Sequence, residues 1–258
     1  MLVLANEKSF ILSLMSSLKE RLDAEVAKRN DPKQLSLDNP DPLMVAKRYQ
    51  DENIALICAL FAYGNAKQIV KFLERLDFDL LDQDERSIRD SLQGVYYRFQ
   101  VSEDVIALFI ALKRLKKERS LEDIFMQGYE TQRDVLHGIF NIIECLQKYY
   151  PYQSRGYRFL IGRAHQNSPY KRWLMFLRWM VRSDNLDMGL WKRLDRKDLL
   201  LPLDTHTFRV GQKLGLLKRK SYDLKAVVEI TKSLRAFDSQ DPIKYDFALY
   251  RLGQEQII

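Results

Sequence analysis

The sequence predicts an all-α protein of eight to ten helices. Apolar residues recur at helical spacing from end to end, and no stretch shows the sustained alternation with hairpin turns that is typical of β-strands. Glycine and proline are scarce, with 10 and 7 among 258 residues, so few turns interrupt the helices. The length suffices for one large domain or two packed lobes with a sizeable core.

The N-terminal part of the chain is predicted to hold a long helix, a loop and a buried helix. Residues 7–29 have a helical pattern, and residues 31–43 contain three of the seven prolines and predict a loop. Asp51 is the predicted N-cap of a buried helix over residues 54–63, which Gly64 ends. At ten residues, this longest apolar run is too short to cross a bilayer, so we expect no membrane association. Three further predicted helices begin at Ala66, Ser102 and Val135. Four more are predicted over residues 171–182, 205–214, 224–237 and 244–252.

The two cysteines indicate a reduced compartment. Cys58 and Cys145 both occur in apolar helical patterns. Two cysteines are too few for a disulfide framework, a zinc site or an iron–sulfur cluster, so we expect no metal and no cofactor. The cytoplasm is the predicted compartment.

Positive charge is concentrated in one stretch of the chain. Residues 155–225 contain 17 Lys and Arg but only 6 Asp and no Glu, although the formal charge of the whole chain is only +7. A concentrated basic surface is typical of a protein that binds a polyanion such as nucleic acid. The alternative is a solvated basic face with no partner.

Lys171 is the first candidate for chemistry. Ser168 and Pro169 predict a helix start, with a hydroxyl cap and a proline in the first turn, so Lys171 would lie in the first turn of an otherwise apolar helix. The positive end of the helix dipole and burial both favour the neutral form of an amine at that place. A neutral amine is a nucleophile. The alternative is a lysine that extends to solvent beside Arg172.

Asp204 is the second candidate. The apolar run Leu199-Leu-Leu-Pro-Leu leads directly to it, and a helix follows. The ordinary role of an aspartate at a helix start is that of an N-cap. Its place at the edge of a buried surface also suits a carboxylate that stabilises a nearby positive charge.

The segment around Asp204 resembles a known signature. Leu-Asp-Thr-His-Thr-Phe-Arg-Val is similar to the (Val/Leu)-Asp-(Thr/Val)-His-x-x-Arg-(Val/Leu) motif of the helix-hairpin-helix DNA glycosylase superfamily, which includes endonuclease III and the 8-oxoguanine glycosylases. Lys-Arg-Trp-Leu-Met-Phe-Leu, from Lys171, looks like the lysine helix of the bifunctional members. The separation of 33 residues from Lys171 to Asp204 is similar to the spacing in archaeal 8-oxoguanine (GO) glycosylases. The resemblance implies that Lys171 and Asp204 are catalytic.

The C-terminal segment resembles the same branch. Asp246-Phe-Ala-Leu-Tyr250-Arg-Leu-Gly253 is similar to an archaeal Asp-x-x-Leu-Trp-x-x-Gly segment, whose acid and aromatic residue line the base pocket. The resemblance implies that Tyr250 replaces the tryptophan as a stacking surface. Met175, one turn beyond Lys171 on the same helix face, would cover the other side of the flipped base. The alternative for Met175 and Tyr250 is core packing.

The resemblance also implies how the protein contacts DNA. The turn after the buried helix carries a polar residue that enters the base stack, and Asn65 is the candidate. The Gly-x-Gly hairpin of the family is missing here, where the chain reads Arg-Ala-His-Gln-Asn-Ser-Pro-Tyr from Arg163. Phosphate contacts would then fall to Arg163, Arg172 or the helix N-terminus. The predicted DNA-binding residues are Asn65, Arg163, Arg172, His206, Arg209 and Lys213.

The implied protein is a monomeric DNA glycosylase and AP lyase of base excision repair that acts on 8-oxoguanine in duplex DNA. We expect a two-lobed fold with its active site in the cleft between lobes. The predicted central lobe spans residues 45–182, and residues 1–44 with 183–258 form the lobe that carries the aspartate. Alkylated adenine and uracil are alternative substrates. A non-catalytic helical nucleic-acid-binding protein and a protein-interaction module are alternative functions.

Overall fold

The computed structural model describes residues 2–257, with side chains from Ser16 onward. This part of the chain is all-α and forms no β-strand; its only β-type pairings are two isolated bridges, Tyr97 with Gln100 and Ser183 with Met188. The helices are α1 (Leu2–Arg29), α2 (Leu43–Tyr49), α3 (Glu52–Leu60), α4 (Ala66–Leu73), α5 (Glu85–Leu92), α6 (Ser102–Lys116), α7 (Leu121–Gln132), α8 (Val135–Tyr149), α9 (Arg155–Ile161), α10 (Lys171–Val181), α11 (Thr205–Lys213), α12 (Leu224–Arg235) and α13 (Asp246–Gln254). Single 3-10 turns occur at Pro32–Gln34, Phe78–Asp82, Arg196–Asp198 and Pro242–Tyr245.

The all-α prediction is confirmed, but the predicted number of helices was too low. Thirteen α-helices occur within residues 2–257. The sequence analysis missed α2, α5, α7 and α9. α2 and α9 are only seven residues long, and α5 is rich in charged residues, so none of these three shows a long apolar stripe.

The core is built around α3 and α6. All residues of α3 from Asn53 onward are buried, as the apolar run predicts. Asp51 is the N-cap of this helix, and its Oδ1 accepts hydrogen bonds from the backbone N–H groups of Asn53 and Ile54, at 2.7 and 3.1 Å. This predicted cap is confirmed. α6 packs against α5, α8 and α9, and α3 packs against α2 and α10.

The C-terminal helices pack against each other and against the first helix. α13 contacts both α11 and α1, while α12 packs on the 3-10 turn that precedes α13. The approach of α13 to α11 depends on Gly253, because a Cβ there would lie 2.9 Å from the Cβ of His206. This close contact brings the first turn of α11 and the length of α13 to one site. Nowhere in residues 2–257 does a helix combine the length and apolar character needed to span a membrane.

Candidate active site

Lys171 is the first residue of α10, as predicted, but the helix start differs from the prediction. Tyr170, not Ser168, precedes the helix, and its left-handed backbone (φ 46°, ψ 30°) turns the chain directly into Lys171. The buried Tyr170 hydroxyl donates to the carbonyl of Arg163 at 2.7 Å and accepts from the N–H of Gln166 at 2.9 Å. The tyrosine thus closes the loop in place of a Gly-x-Gly hairpin, and Pro169 lies before the helix.

The Lys171 amine has no ionic partner among the side chains that the structure describes. Its Nζ lies 3.5 Å from the thioether sulfur of Met175, one turn further along α10. Among the side chains from Ser16 onward, no carboxylate lies within 4.0 Å of this amine. The side chain is half-buried, so the amine faces open space rather than a fixed partner.

Asp204 is the N-cap of α11, which confirms its ordinary role. Its Oδ1 accepts a hydrogen bond from the backbone N–H of Thr207 at 2.8 Å. Leu199 to Leu203, the apolar run before it, is buried, so the carboxylate lies at the edge of the core. Within the described residues, no hydrogen bond uses the other oxygen, Oδ2. One half of the carboxylate therefore remains open to a ligand.

One cleft of about 500 Å³ brings most of the predicted residues together. It is formed by the turn between α3 and α4 and by residues of α10, α11 and α13. Of the predicted catalytic, base-pocket and DNA-binding residues, seven line it: Asn65, Lys171, Met175, Asp204, His206, Asp246 and Tyr250. The volume lies within the range of small-molecule pockets in proteins. The predicted residues in the cleft thus include an amine, two carboxylates and the aromatic ring of Tyr250, and a third carboxylate, Asp41, also lines it.

Asp246 forms a buried ion pair beneath the cleft. Its Oδ2 accepts from Arg178 Nη1 at 2.5 Å, and Arg178 Nε also reaches Asp187 at 3.2 Å. Burial raises the pKa of Asp246 to about 6, and the Arg178 guanidinium opposes that rise. Of the two charges nearby in the cleft, Asp204 raises this pKa further and Lys171 lowers it. Asp246 is therefore a carboxyl group whose protonation changes near neutral pH.

Tyr250 forms an aromatic wall of the cleft. Its ring meets His206 edge to face, with centroids 6.0 Å apart. Burial raises the pKa of its phenol to about 12, and the carboxylates of Asp41 and Asp204 add to the effect. The phenol is therefore protonated at neutral pH and can serve as a neutral stacking surface.

A second groove, of about 640 Å³, meets the cleft at Lys171 and Tyr222. Its lining contains no acidic residue but five basic ones: Arg155, Arg158, Arg163, Lys171 and Arg172. The predicted Arg163 is exposed here. Arg155 and Arg158 were not among the predicted residues. They are three residues apart, and this spacing could have indicated that both lie on one face of a helix.

Arg172 has intramolecular partners rather than a free guanidinium. It donates to the carbonyls of Leu60 and Phe159, the first of which ends α3. The guanidinium also lies over the rings of Tyr63 and Phe159, at 5.3 and 4.8 Å from their centroids. Burial lowers its pKa to about 10, so it stays charged at neutral pH. These contacts give Arg172 a structural role, and the phosphate contact predicted for it stays a prediction.

Arg209 and Lys213 lie outside both cavities. Together with His206 they are exposed on α11, at positions three and four residues apart, and thus on one face of the helix. In the part of the chain with described side chains, neither Arg209 nor Lys213 forms an ion pair. This face continues from the cleft opening.

The sequence analysis missed two residues of the cleft. Arg178 occurs within an apolar helix, where its partners Asp187 and Asp246 could not be inferred from spacing. Tyr222 borders both cavities and donates a hydrogen bond to the carbonyl of Leu203, at 2.7 Å, which fixes the turn before Asp204. No local pattern around Tyr222 points to that contact.

The comparisons with known proteins identify a family but no function. No curated protein matches the chain, and no solved structure matches it. A family model described as "Protein of unknown function (DUF2400)" matches residues 41–255. That match covers most of the chain and every residue that lines the cleft. The chain therefore belongs to the DUF2400 family.

Proposed function

We propose that this protein is a DNA glycosylase with AP lyase activity that removes oxidised guanine from DNA in base excision repair. The observation that carries the proposal is the meeting of five side chains in one cleft: Lys171, Met175, Asp204, Asp246 and Tyr250. They come from α10, the start of α11 and α13, which are far apart in the sequence. The proposal also includes two lobes, residues 45–182 and residues 1–44 with 183–258, with the cleft between them.

The chemistry begins at the open amine. Neutral Lys171 Nζ attacks C1′ of the deoxyribose, and the glycosidic bond breaks with its electron pair leaving on the base. Asp204 Oδ2, which has no hydrogen bond among the described residues, stabilises the positive charge on the sugar and accepts the amine proton. The nitrogen lone pair of the resulting aminal then breaks the C1′–O4′ bond, and O4′ takes the proton that Asp204 holds, which opens the sugar and gives a Schiff base. Loss of a C2′ proton to solvent then drives β-elimination, in which the C3′–O bond breaks and the 3′ phosphate leaves; the excised base takes its proton from solvent.

The base would be held between Met175 and Tyr250. An extruded nucleotide needs a pocket that replaces its stacking partners, and these two side chains line the same cleft. Oxidised guanine is the proposed substrate, because the segments around Lys171, Asp204 and Asp246 resemble segments of archaeal 8-oxoguanine glycosylases. The buried carboxyl of Asp246 supplies a hydrogen-bonding group for the base edge.

Duplex DNA would approach along the basic surface. Three exposed basic residues lie near the cleft and can contact phosphates: Arg163, Arg209 and Lys213. Asn65, which is exposed on the cleft rim, can enter the base stack of the duplex. We propose that the enzyme acts as a monomer beside the chromosome, in the cytoplasm.

Borohydride trapping tests the lysine. Wild-type protein is mixed with a duplex that contains one 8-oxoguanine, and sodium borohydride reduces the Schiff base to a stable adduct visible on a denaturing gel. Lys171→Gln should give no adduct. The matched control is Lys232→Gln, because Lys232 is exposed on α12 away from the cleft and its adduct should equal that of wild type. An adduct from Lys171→Gln, or none from wild type on any of 8-oxoguanine, alkylated adenine and uracil, contradicts the proposal.

Asp204→Asn separates capping from chemistry. Asparagine is as good an N-cap as aspartate, so folding and DNA affinity should be unchanged. Loss of the negative charge should lower the rate of base release by about 10²–10⁴-fold in single-turnover assays. A variant that releases the base at the wild-type rate would reduce Asp204 to a helix cap.

A further inference from the structure

An exposed aromatic patch lies outside the cleft. It consists of Tyr96, Phe99, Val101 and Phe159, whose exposed fractions are 73, 49, 55 and 42%. Phe99 and Phe159 are in contact, with ring centroids 4.8 Å apart. These four are among only nine large hydrophobic residues that are exposed in the described part of the chain, and their clustering indicates a binding surface.

The aromatic patch is held rigidly by a tight turn between α5 and α6. Tyr97 and Gln100 pair through two backbone hydrogen bonds, at 3.1 and 2.9 Å, around Arg98, whose backbone is left-handed (φ 57°). Both Tyr97 and Gln100 are buried, and the Tyr97 hydroxyl donates to the carbonyl of Tyr63 at 2.7 Å. The turn therefore fixes its inward residues and projects Tyr96 and Phe99 to solvent. Such preorganisation lowers the entropic cost of binding.

The charged residues within the two segments that form the aromatic patch are all basic. The two segments that form it, residues 95–101 and 154–163, contain four arginines and no Asp or Glu. Arg98, Arg155 and Arg158 are exposed, and none of them forms an ion pair with any side chain from Ser16 onward. An apolar surface with three unpaired arginines beside it fits a ligand with flat apolar faces and negative charge.

The aromatic patch borders the proposed active site. Phe159, Arg155 and Arg158 also line the second groove, which shares Lys171 with the cleft. On its other side, Arg98 packs against Gly64, a residue of the cleft rim: a Cβ at that glycine would collide with the guanidinium. A strand that leaves the cleft in either direction can thus reach the patch.

We propose that the aromatic patch binds unpaired nucleotides, whose bases stack on Phe99 and Tyr96 and whose phosphates contact Arg155 and Arg158. Bases in a duplex cover each other and cannot stack on an exposed side chain, whereas unpaired bases can, without regard to sequence. The arginines favour this ligand over a neutral apolar partner. The inference goes beyond the proposed function: it requires nucleic-acid binding but not base excision.

Fluorescence anisotropy on the full chain tests this. The probes are an undamaged, labelled (dT)12 strand, a fully paired 12-base-pair duplex and the same duplex with a three-nucleotide bulge. Phe99→Ala should weaken binding of the single strand and of the bulged duplex about tenfold, and that of the paired duplex less than twofold. Phe99→Tyr keeps the ring and should restore affinity. Tyr49→Ala is the matched control, because Tyr49 is also exposed but lies just before the N-terminal end of α3. The aromatic patch adjoins the residues that follow the C-terminal end of that helix.

The outcomes separate this proposal from the proposed function. Equal losses on all three probes, or no loss on any, would overturn it. If wild-type protein is a dimer in solution and Phe99→Ala a monomer, with unchanged affinity for DNA, the patch joins two copies instead. The patch is tested by binding of undamaged strands, and the proposed function by trapping on a damaged duplex. A failure of borohydride trapping therefore leaves the Phe99 result intact, and a failure of the Phe99 prediction leaves the trapping result intact.

Discussion

Arg178→Met tests the buried charges beneath the cleft. Methionine keeps an unbranched apolar stem of similar length but removes the charge that Asp187 and Asp246 share. Removing one partner of a buried ion pair costs about 3–5 kcal/mol, because a carboxylate stays in the interior without a counter-charge. For a chain of 258 residues, this corresponds to a fall in Tm of roughly 6–10 °C.

The loss should grow with pH. Burial raises the pKa of Asp246 to about 6, above its ordinary 3.8, so the folded protein holds this proton more tightly than the unfolded chain. The stability that Asp246 contributes by holding its proton is fully present below about pH 4 and is lost as the pH rises through about 6. Arg178 lowers this pKa, so without it the loss continues to higher pH. The difference between wild type and variant should therefore be smaller at pH 5 than at pH 8.

Urea denaturation at pH 5 and pH 8 measures this difference. All three tryptophans (Trp173, Trp179 and Trp191) are buried, so their fluorescence reports unfolding. Arg48→Met is the matched control: it removes an exposed pair with Glu74 and should cost less than about 1 kcal/mol at either pH. Wild-type stability of Arg178→Met at pH 8, or an equal loss at the two pH values, would refute the reasoning.

Three further variants test how the site is built. Tyr170→Phe should lower the free energy of unfolding by about 2 kcal/mol in urea, because it removes both hydrogen bonds that close the loop before α10; an unchanged midpoint would mean that the loop closes without the hydroxyl. Gly156→Ala should cost about 1–3 kcal/mol in thermal unfolding, because its Cβ would collide with the Asp104 carboxylate. Arg172→Lys should lower both Tm and the trapping rate, since an ammonium cannot reproduce a planar fork to two carbonyls; a wild-type trapping rate would show that Lys171 needs no such support.

The features that the sequence predicts well are local. Asp51 and Asp204 cap their helices because the hydrogen bonds reach only two or three residues along the chain. The helix around Lys171 is predicted because its apolar stripe extends over three turns. The motif resemblance then joins Lys171, Asp204 and Asp246, which no local pattern relates to one another.

The features that the sequence does not predict depend on tertiary contacts. One exception is local: Ser168 and Pro169 have the residue types of a helix start, yet the helix starts at Lys171, after a loop that the Tyr170 hydroxyl closes by hydrogen bonds to Arg163 and Gln166. Arg178 forms its ion pair with Asp246 across a sequence separation of 68 residues. The aromatic patch was missed because a short run of aromatic residues between helices indicates core as readily as surface, and only the turn at residues 97–100 decides which side chains face outward.

In the proposed complex with DNA, in which Lys171 is the nucleophile, the anchoring of Arg172 determines which molecule must deform. Its guanidinium joins the first turn of α10 to the end of α3 and to α9, so the backbone beside the nucleophile cannot shift without breaking two hydrogen bonds. The protein surface beside Lys171 thus stays fixed. The free-energy cost of fitting the two molecules together then comes from bending and unstacking the nucleic acid. Sequence steps that kink easily should therefore be processed faster around the same lesion than stiff A-tracts.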